Sequence, residues 1–188
     1  MEELKERIRR EGHAIGDDLL KVDSFLNHQI DGQLMSKIGK AFADRFKDKG
    51  ITKILTAEAS GIPPALVTGI ELGVPVIYAR KTKPDTMRDR TYSREVMSAT
   101  KGEISDIVVS AEYIGPDDRI LIIDDFIASG ATILALASIV REAGASLVGV
   151  GTVIEKAFLH GRERLWTQEI PLESLAIVES LRGGVRVR

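Results

Sequence analysis

The stretch Ile120-Leu121-Ile122-Ile123-Asp124-Asp125-Phe126-Ile127-Ala128-Ser129-Gly130-Ala131-Thr132 decides the reading of this chain. An unbroken apolar run is the pattern of a strand covered on both faces, as in a parallel sheet. Two carboxylates end it. A turn of small residues follows, and then a helical pattern. Ligands of open α/β sheets sit at the carboxyl ends of strands. A small-residue turn at a helix N-terminus presents successive backbone N–H groups to an anion, with the helix dipole and the Ser129 and Thr132 hydroxyls beside them. Asp124 and Asp125 are acceptors suited to adjacent hydroxyls of a sugar. Together these features suit a ribose 5-phosphate, although the two acids also fit a plain capping pair in a strand-to-helix turn.

Outward from this stretch the pattern alternates. Residues 51–57 read as a strand, residues 61–73 as a helix with Pro63 and Pro64 in its first turn, and residues 74–79 as a second strand. Residues 119–124 are a third strand, 132–144 a helix and 146–154 a fourth strand. Buried strands alternating with helices predict an α/β fold with a mainly parallel sheet. Before them, residues 4–11 read as a short charged helix and residues 12–29 as mixed. Asp31 is an N-cap for a helix carrying Leu34, Ile38, Ala41, Phe42 and Phe46, closed by Gly50. After them, residues 159–166 read as a helix and 175–179 as a strand, with a basic tail.

Residues 81–118 do not fit the alternation. Strand-like stretches at 91–97 and 104–113, on either side of Lys101-Gly102, predict a long antiparallel arm or lid. Lys81, Lys83, Arg88, Arg90 and Arg94 on it suit a diphosphate, or else form a solvated face.

The 188 residues correspond to one domain, with 44% hydrophobic and 29% charged residues. The formal charge of −2 gives no global pull toward nucleic acid or an anionic membrane. There is no cysteine, the N-terminus is charged from residue 2, and no apolar run reaches membrane-spanning length, so a cytoplasmic location is expected. Dinucleotide and P-loop glycine motifs are missing. His13, His28 and His160 lack ligand spacing, and Trp166 reads as a packing residue. Lys156, ending an apolar strand, is open to reading as a snorkelling surface lysine, and Asn27 as a turn cap.

Residues 122–132 resemble the phosphoribosyl diphosphate signature of the type I phosphoribosyltransferases. The resemblance extends over nearly the whole chain to the bacterial xanthine-type members. It runs through Leu20-Lys21-Val22-Asp23-Ser24-Phe25-Leu26-Asn27-His28, Glu58-Ala59-Ser60-Gly61-Ile62 and Ile154-Glu155-Lys156. Where that family often carries Asn-Gly-Gln-Ala, this chain has Ser129-Gly130-Ala131-Thr132, keeping the glycine and the backbone donors. From Gly183 onward the match is weaker and nothing is carried over.

The resemblance implies a type I phosphoribosyltransferase fold with a mainly parallel central sheet flanked by helices. A hood from residues about 1–30 and 156–188 and a flexible lid from about 81–118 complete a single domain. It implies that Ala128, Ser129, Gly130, Ala131 and Thr132 bind the 5-phosphate. Asp124 and Asp125 face the ribose as the catalytic pair. Ala59, Ser60, Gly61 and Lys81 hold the diphosphate, and Leu20, Asn27 and Lys156 hold the base. Mg²⁺ is implied chiefly on the substrate diphosphate, with no dedicated protein cage. The implied reaction joins xanthine to phosphoribosyl diphosphate in purine salvage, by a cytoplasmic homodimer with no nucleic-acid or membrane partner. Hypoxanthine or guanine transfer, and a non-catalytic regulator binding purine or phosphoribosyl diphosphate, are the alternatives.

Overall fold

The computed structural model describes residues 1–82, 90–97 and 104–188. The predicted lid residues Lys83, Arg88, Lys101 and Gly102 lie outside the described residues. In chain order the elements begin with α1 (Glu2–Glu11), β1 (His13–Ile15), β2 (Leu19–Lys21), α2 (Gly32–Phe46), β3 (Lys53–Ala57), α3 (Ile62–Leu72) and β4 (Val76–Ala79). They continue with β5 (Thr91–Met97), β6 (Ile104–Ser110), β7 (Arg119–Ile127), α4 (Ala131–Glu142), β8 (Ser146–Lys156), α5 (Gly161–Trp166), β9 (Leu172–Ser180) and β10 (Arg186–Val187). Among the described residues the main sheet runs β10-β9-β8-β7-β3-β4. Its pairs are parallel except β10 with β9.

Strand β7 occupies the middle of this sheet, between β8 and β3. Its apolar run is continuous because both faces are covered. Leu121 and Ile123 enter one core with Ile38 and Phe42 of α2, whereas Ile120 and Ile122 enter a second core with Leu136 and Val140 of α4. Helix α2 starts where Asp31 accepts hydrogen bonds from Gln33 N and Leu34 N, both at 3.1 Å. Chain start and chain end meet on one side of the sheet: the Met1 amino group donates to Leu175 O at 2.8 Å and Arg9 Nη2 to Val187 O at 3.1 Å.

Several boundaries differ from the sequence reading for physical reasons. β7 does not stop at the acids but runs on to Ile127, still paired with β8 through Phe126–Ile154 and Ile127–Glu155. Residues 12–29 contain the β1–β2 hairpin and a π-helical turn, Asp23–Asn27. The last predicted helix, 159–166, is shortened to α5 and preceded by a 3-10 turn, Ala157–Leu159. Trp166 does not pack: it is 79% exposed, and its neighbour Leu165 is the buried residue of that turn.

The arm between β4 and β7 contains the antiparallel pair β5–β6, tied to the end of β4 by an Arg80–Val108 bridge. Arg94, read on this arm as suited to a diphosphate, is engaged by α4. Its guanidinium donates to Ser138 Oγ at 2.9 Å and pairs with Glu142 at 2.7 Å, anchoring β5 on α4.

Candidate active site

A cleft of about 520 Å³ opens over the carboxyl ends of β3, β7 and β8. It is lined by Leu20, Asn27, Ser60, Lys81, Asp124, Asp125, Ala128, Ser129, Thr132 and Lys156, together with Phe126, Asp18 and Leu159. Residues separated by more than 130 positions in the chain therefore share one cavity. Gly130 and Ala131 line, with Ala128, Ser129 and Thr132, a smaller recess of about 80 Å³ at the start of α4. Between β3 and α3, Gly61 is buried and Ala59 is exposed.

The turn after β7 is shaped by Gly130, whose φ of 79° is left-handed and places it at the N-cap of α4. A Cβ there would stand 3.0 Å from Leu165 Cδ1. A side chain is thus disfavoured both by backbone conformation and by contact. With no side-chain cap at this end of α4, its first N–H groups remain for an anion.

Asp124 and Asp125 lie in the floor of the cleft, each 7% exposed. Asp125 N donates to Asp124 Oδ1 at 2.9 Å. Burial, and then the neighbouring Asp125 charge, push the Asp124 carboxyl well above the usual carboxylate range. Such a group takes up its full charge when donors or cations arrive beside it.

At the turn after β3, the Glu58–Ala59 peptide is cis. Glu58 accepts from Lys81 N at 2.7 Å and pairs with Arg80 Nε at 3.2 Å, joining this turn to the end of β4.

Lys156, the last residue of β8, also lines the cleft. It is 8% exposed, and its Nζ donates to Asp18 O at 2.9 Å. The ammonium lies 5.4 Å from the centre of the Phe126 ring. Burial lowers its pKa, offset in part by Asp18 and Asp125. Asn27, the last residue of the π-helical turn, is exposed and lines the same cleft. Two contributors escaped the sequence reading. The Asp18 carbonyl is a backbone feature with no sequence signal. Phe126 lay inside the quoted stretch, directly after the acids, and its aromatic character was the available signal.

A match to the family described as "Phosphoribosyl transferase domain" covers residues 26–169. The chain belongs to the phosphoribosyltransferase family. It is 58% identical over 184 residues to a xanthine phosphoribosyltransferase of Moorella thermoacetica, covering 98% of this chain and 94% of that one. It is 49% identical over 184 residues to a xanthine phosphoribosyltransferase of Staphylococcus epidermidis, at 98% and 96% coverage. The crystal structure of an adenine phosphoribosyltransferase from Rhodothermus marinus superposes with a TM-score of 0.75 at 23% identity, covering 94% of this chain and 99% of that one. That likeness speaks for the fold, the type I phosphoribosyltransferase fold, as the mainly parallel sheet with the turn at its carboxyl edge requires.

Proposed function

We propose that this phosphoribosyltransferase joins xanthine to 5-phosphoribosyl 1-diphosphate, giving xanthosine 5′-monophosphate and diphosphate. The observation that carries the reading is the cleft itself, which gathers a buried ammonium, a carboxylate pair and the turn before an uncapped helix start. High identity to xanthine phosphoribosyltransferases over nearly the full chain supports the choice of base. Lysine has only donors, which suits an oxo group on a six-membered ring and opposes an amino group there.

In this reading the turn of Ala128–Thr132 holds the 5-phosphate, and Asp124 and Asp125 accept from the ribose hydroxyls. The turn containing Ala59, Ser60 and Gly61, with Lys81, holds the diphosphate. Lys156, Asn27 and Leu20 orient the base, whose ring lies against Phe126. The bond from the anomeric carbon to diphosphate breaks, positive charge develops on the ribose ring, and a base nitrogen forms the new bond while its proton leaves to solvent. The protein contributes position, and the negative field of the acid pair under the sugar. Water in the cleft would intercept the activated sugar, so exclusion of water matters.

Mg²⁺ belongs to the same proposal. The hard oxygens of Asp124 and Asp125 fit an ion of this kind. Among the described residues no group of three or more His, Cys, Asp or Glu stands together, so the fit is to an ion ligated mainly by substrate and water. When bound it supplies charge neutralisation to the leaving diphosphate.

Residues 81–118 are read as a lid, a role supported by Val96, Ser105 and Ile107 lining the cleft. Residues 1–30 and 156–188 are read as a hood over the base end, supported by the contacts of α1 with β9 and β10. A homodimer is supported by Leu66 and Ile70, apolar residues of α3 that are 52% and 68% exposed. Among the described residues no helix is long and apolar enough to cross a membrane, and a cytoplasmic location completes the reading. The test is a panel of xanthine, guanine, hypoxanthine and adenine with phosphoribosyl diphosphate and Mg²⁺. Xanthine should give the highest kcat/KM, and absence of nucleotide product with every base would overturn the proposal.

A further inference from the structure

We propose that α5 is a buttress for the turn of Ala128–Thr132, and that Arg164 is a positioning residue for the phosphoribosyl substrate. The inference rests on the reading of that turn as the 5-phosphate cradle.

Arg164 Nη1 donates to Ser129 O at 2.8 Å. In a planar trans peptide the C=O and the next N–H point in opposite directions. Drawing the Ser129 carbonyl onto α5 therefore turns the Gly130 N–H away from α5, toward the recess. The preceding peptide is held in the same sense by contact. The Gly161 backbone lies against the Ala128 carbonyl so closely that a Cβ on Gly161 would collide with it, and would stand 2.7 Å from Ile127 Cγ1. With its carbonyl held against α5, the Ala128–Ser129 unit aims the Ser129 N–H the other way.

Helix α5 has only six residues, too few to hold its place by its own hydrogen bonds. What fixes it is Leu165, buried in the second core, together with Arg162, whose Nε donates to Glu155 Oε1 at 2.8 Å and whose Nη2 reaches the other carboxylate oxygen. Glu155 is 3% exposed, and Ser174 Oγ donates to it at 2.6 Å. Glu155 precedes Lys156 on β8. One short helix thus links the strand that carries the base-facing lysine to the turn that would carry the phosphate.

The test uses the full-length protein with Arg164→Ala, Arg164→Lys and Thr132→Val, each measured for KM of both substrates, kcat and thermal midpoint. Arg164→Ala should raise the KM for phosphoribosyl diphosphate severalfold, because the turn loses preorganisation and not a substrate contact, and the bond lost is an exposed one. The KM for xanthine and the thermal midpoint should stay at wild-type values, and Arg164→Lys should recover most of the loss. A wild-type KM for phosphoribosyl diphosphate in Arg164→Ala overturns the buttress. So does an equal rise in both KM values with a lowered thermal midpoint, which marks a purely structural role. If Thr132→Val raises that KM while Arg164→Ala does not, only the buttress falls. If neither variant moves it, the cradle reading falls with it.

Discussion

Replacing Lys156 by methionine isolates the ammonium. Methionine keeps much of the volume and the apolar stem, so the buried position beside Phe126 stays filled. The ammonium has three donors; one is committed to Asp18 O at 2.9 Å, which leaves two for the cleft. Asp18 is exposed, so water replaces the donor it loses and the fold is little affected. The loss that remains is the charge-assisted bond to a purine oxo group, worth about 1.5–3 kcal/mol. At roughly 1.4 kcal/mol per decade this predicts a fall in kcat/KM for xanthine of about 10- to 150-fold. In the proposed reading Lys156 meets the base and not the sugar diphosphate, so the KM for phosphoribosyl diphosphate should change by less than about threefold. Adenine should gain relative to xanthine, because its amino group no longer meets a buried charge. Steady-state kinetics varying each substrate in turn decides the matter. Wild-type efficiency of Lys156→Met with xanthine would refute the reasoning, and the base site would then lie elsewhere.

Gly130→Val should weaken phosphoribosyl diphosphate binding by about tenfold or more, since left-handed strain of about 1–2 kcal/mol adds to the 3.0 Å contact with Leu165; titration calorimetry reads this directly. Asn27→Ala should narrow the preference for xanthine over guanine, measured as the ratio of kcat/KM values, because one side chain offering both donor and acceptor at the base end is lost. Asp124→Asn should abolish most activity yet raise the thermal midpoint of the substrate-free protein at neutral pH. The Asp124 carboxyl is raised by burial, so its share of stability is full below the unfolded value of about 4 and is lost as pH rises through the folded value. The gain should therefore shrink toward pH ~4, and melting curves showing a pH-independent difference would count against it.

Much of the sheet was legible because β7 is buried on both faces, and two-sided burial writes an unbroken apolar run into the sequence. Asp31 was legible because a cap is a local interaction. The two carboxylates were legible as residues of the cleft, but the course of the strand past them was not, since period-two extrapolation fails around them. Leu121 and Ile123 share a core with Phe126, and Ile120 and Ile122 share the other with Ile127, so the alternation breaks at Asp124 and Asp125. That break brings the Phe126 ring alongside Lys156, and no periodicity announces it. The β1–β2 hairpin was hidden because β1 is exposed throughout and carries no burial pattern. Arg94 was misread because its charge was visible and its partner Glu142, 48 positions away, was not.

If the sugar is held as proposed, the raised Asp124 carboxyl would also make substrate capture a proton-releasing event. A sugar hydroxyl donating to it, or a cation carried in beside it, favours the ionised form and expels whatever proton the empty cleft retained. Binding heats should then depend on the ionisation enthalpy of the buffer, and the slope of that dependence counts the protons lost. By the same linkage, affinity for the sugar diphosphate rises with pH for as long as the empty site still holds its proton.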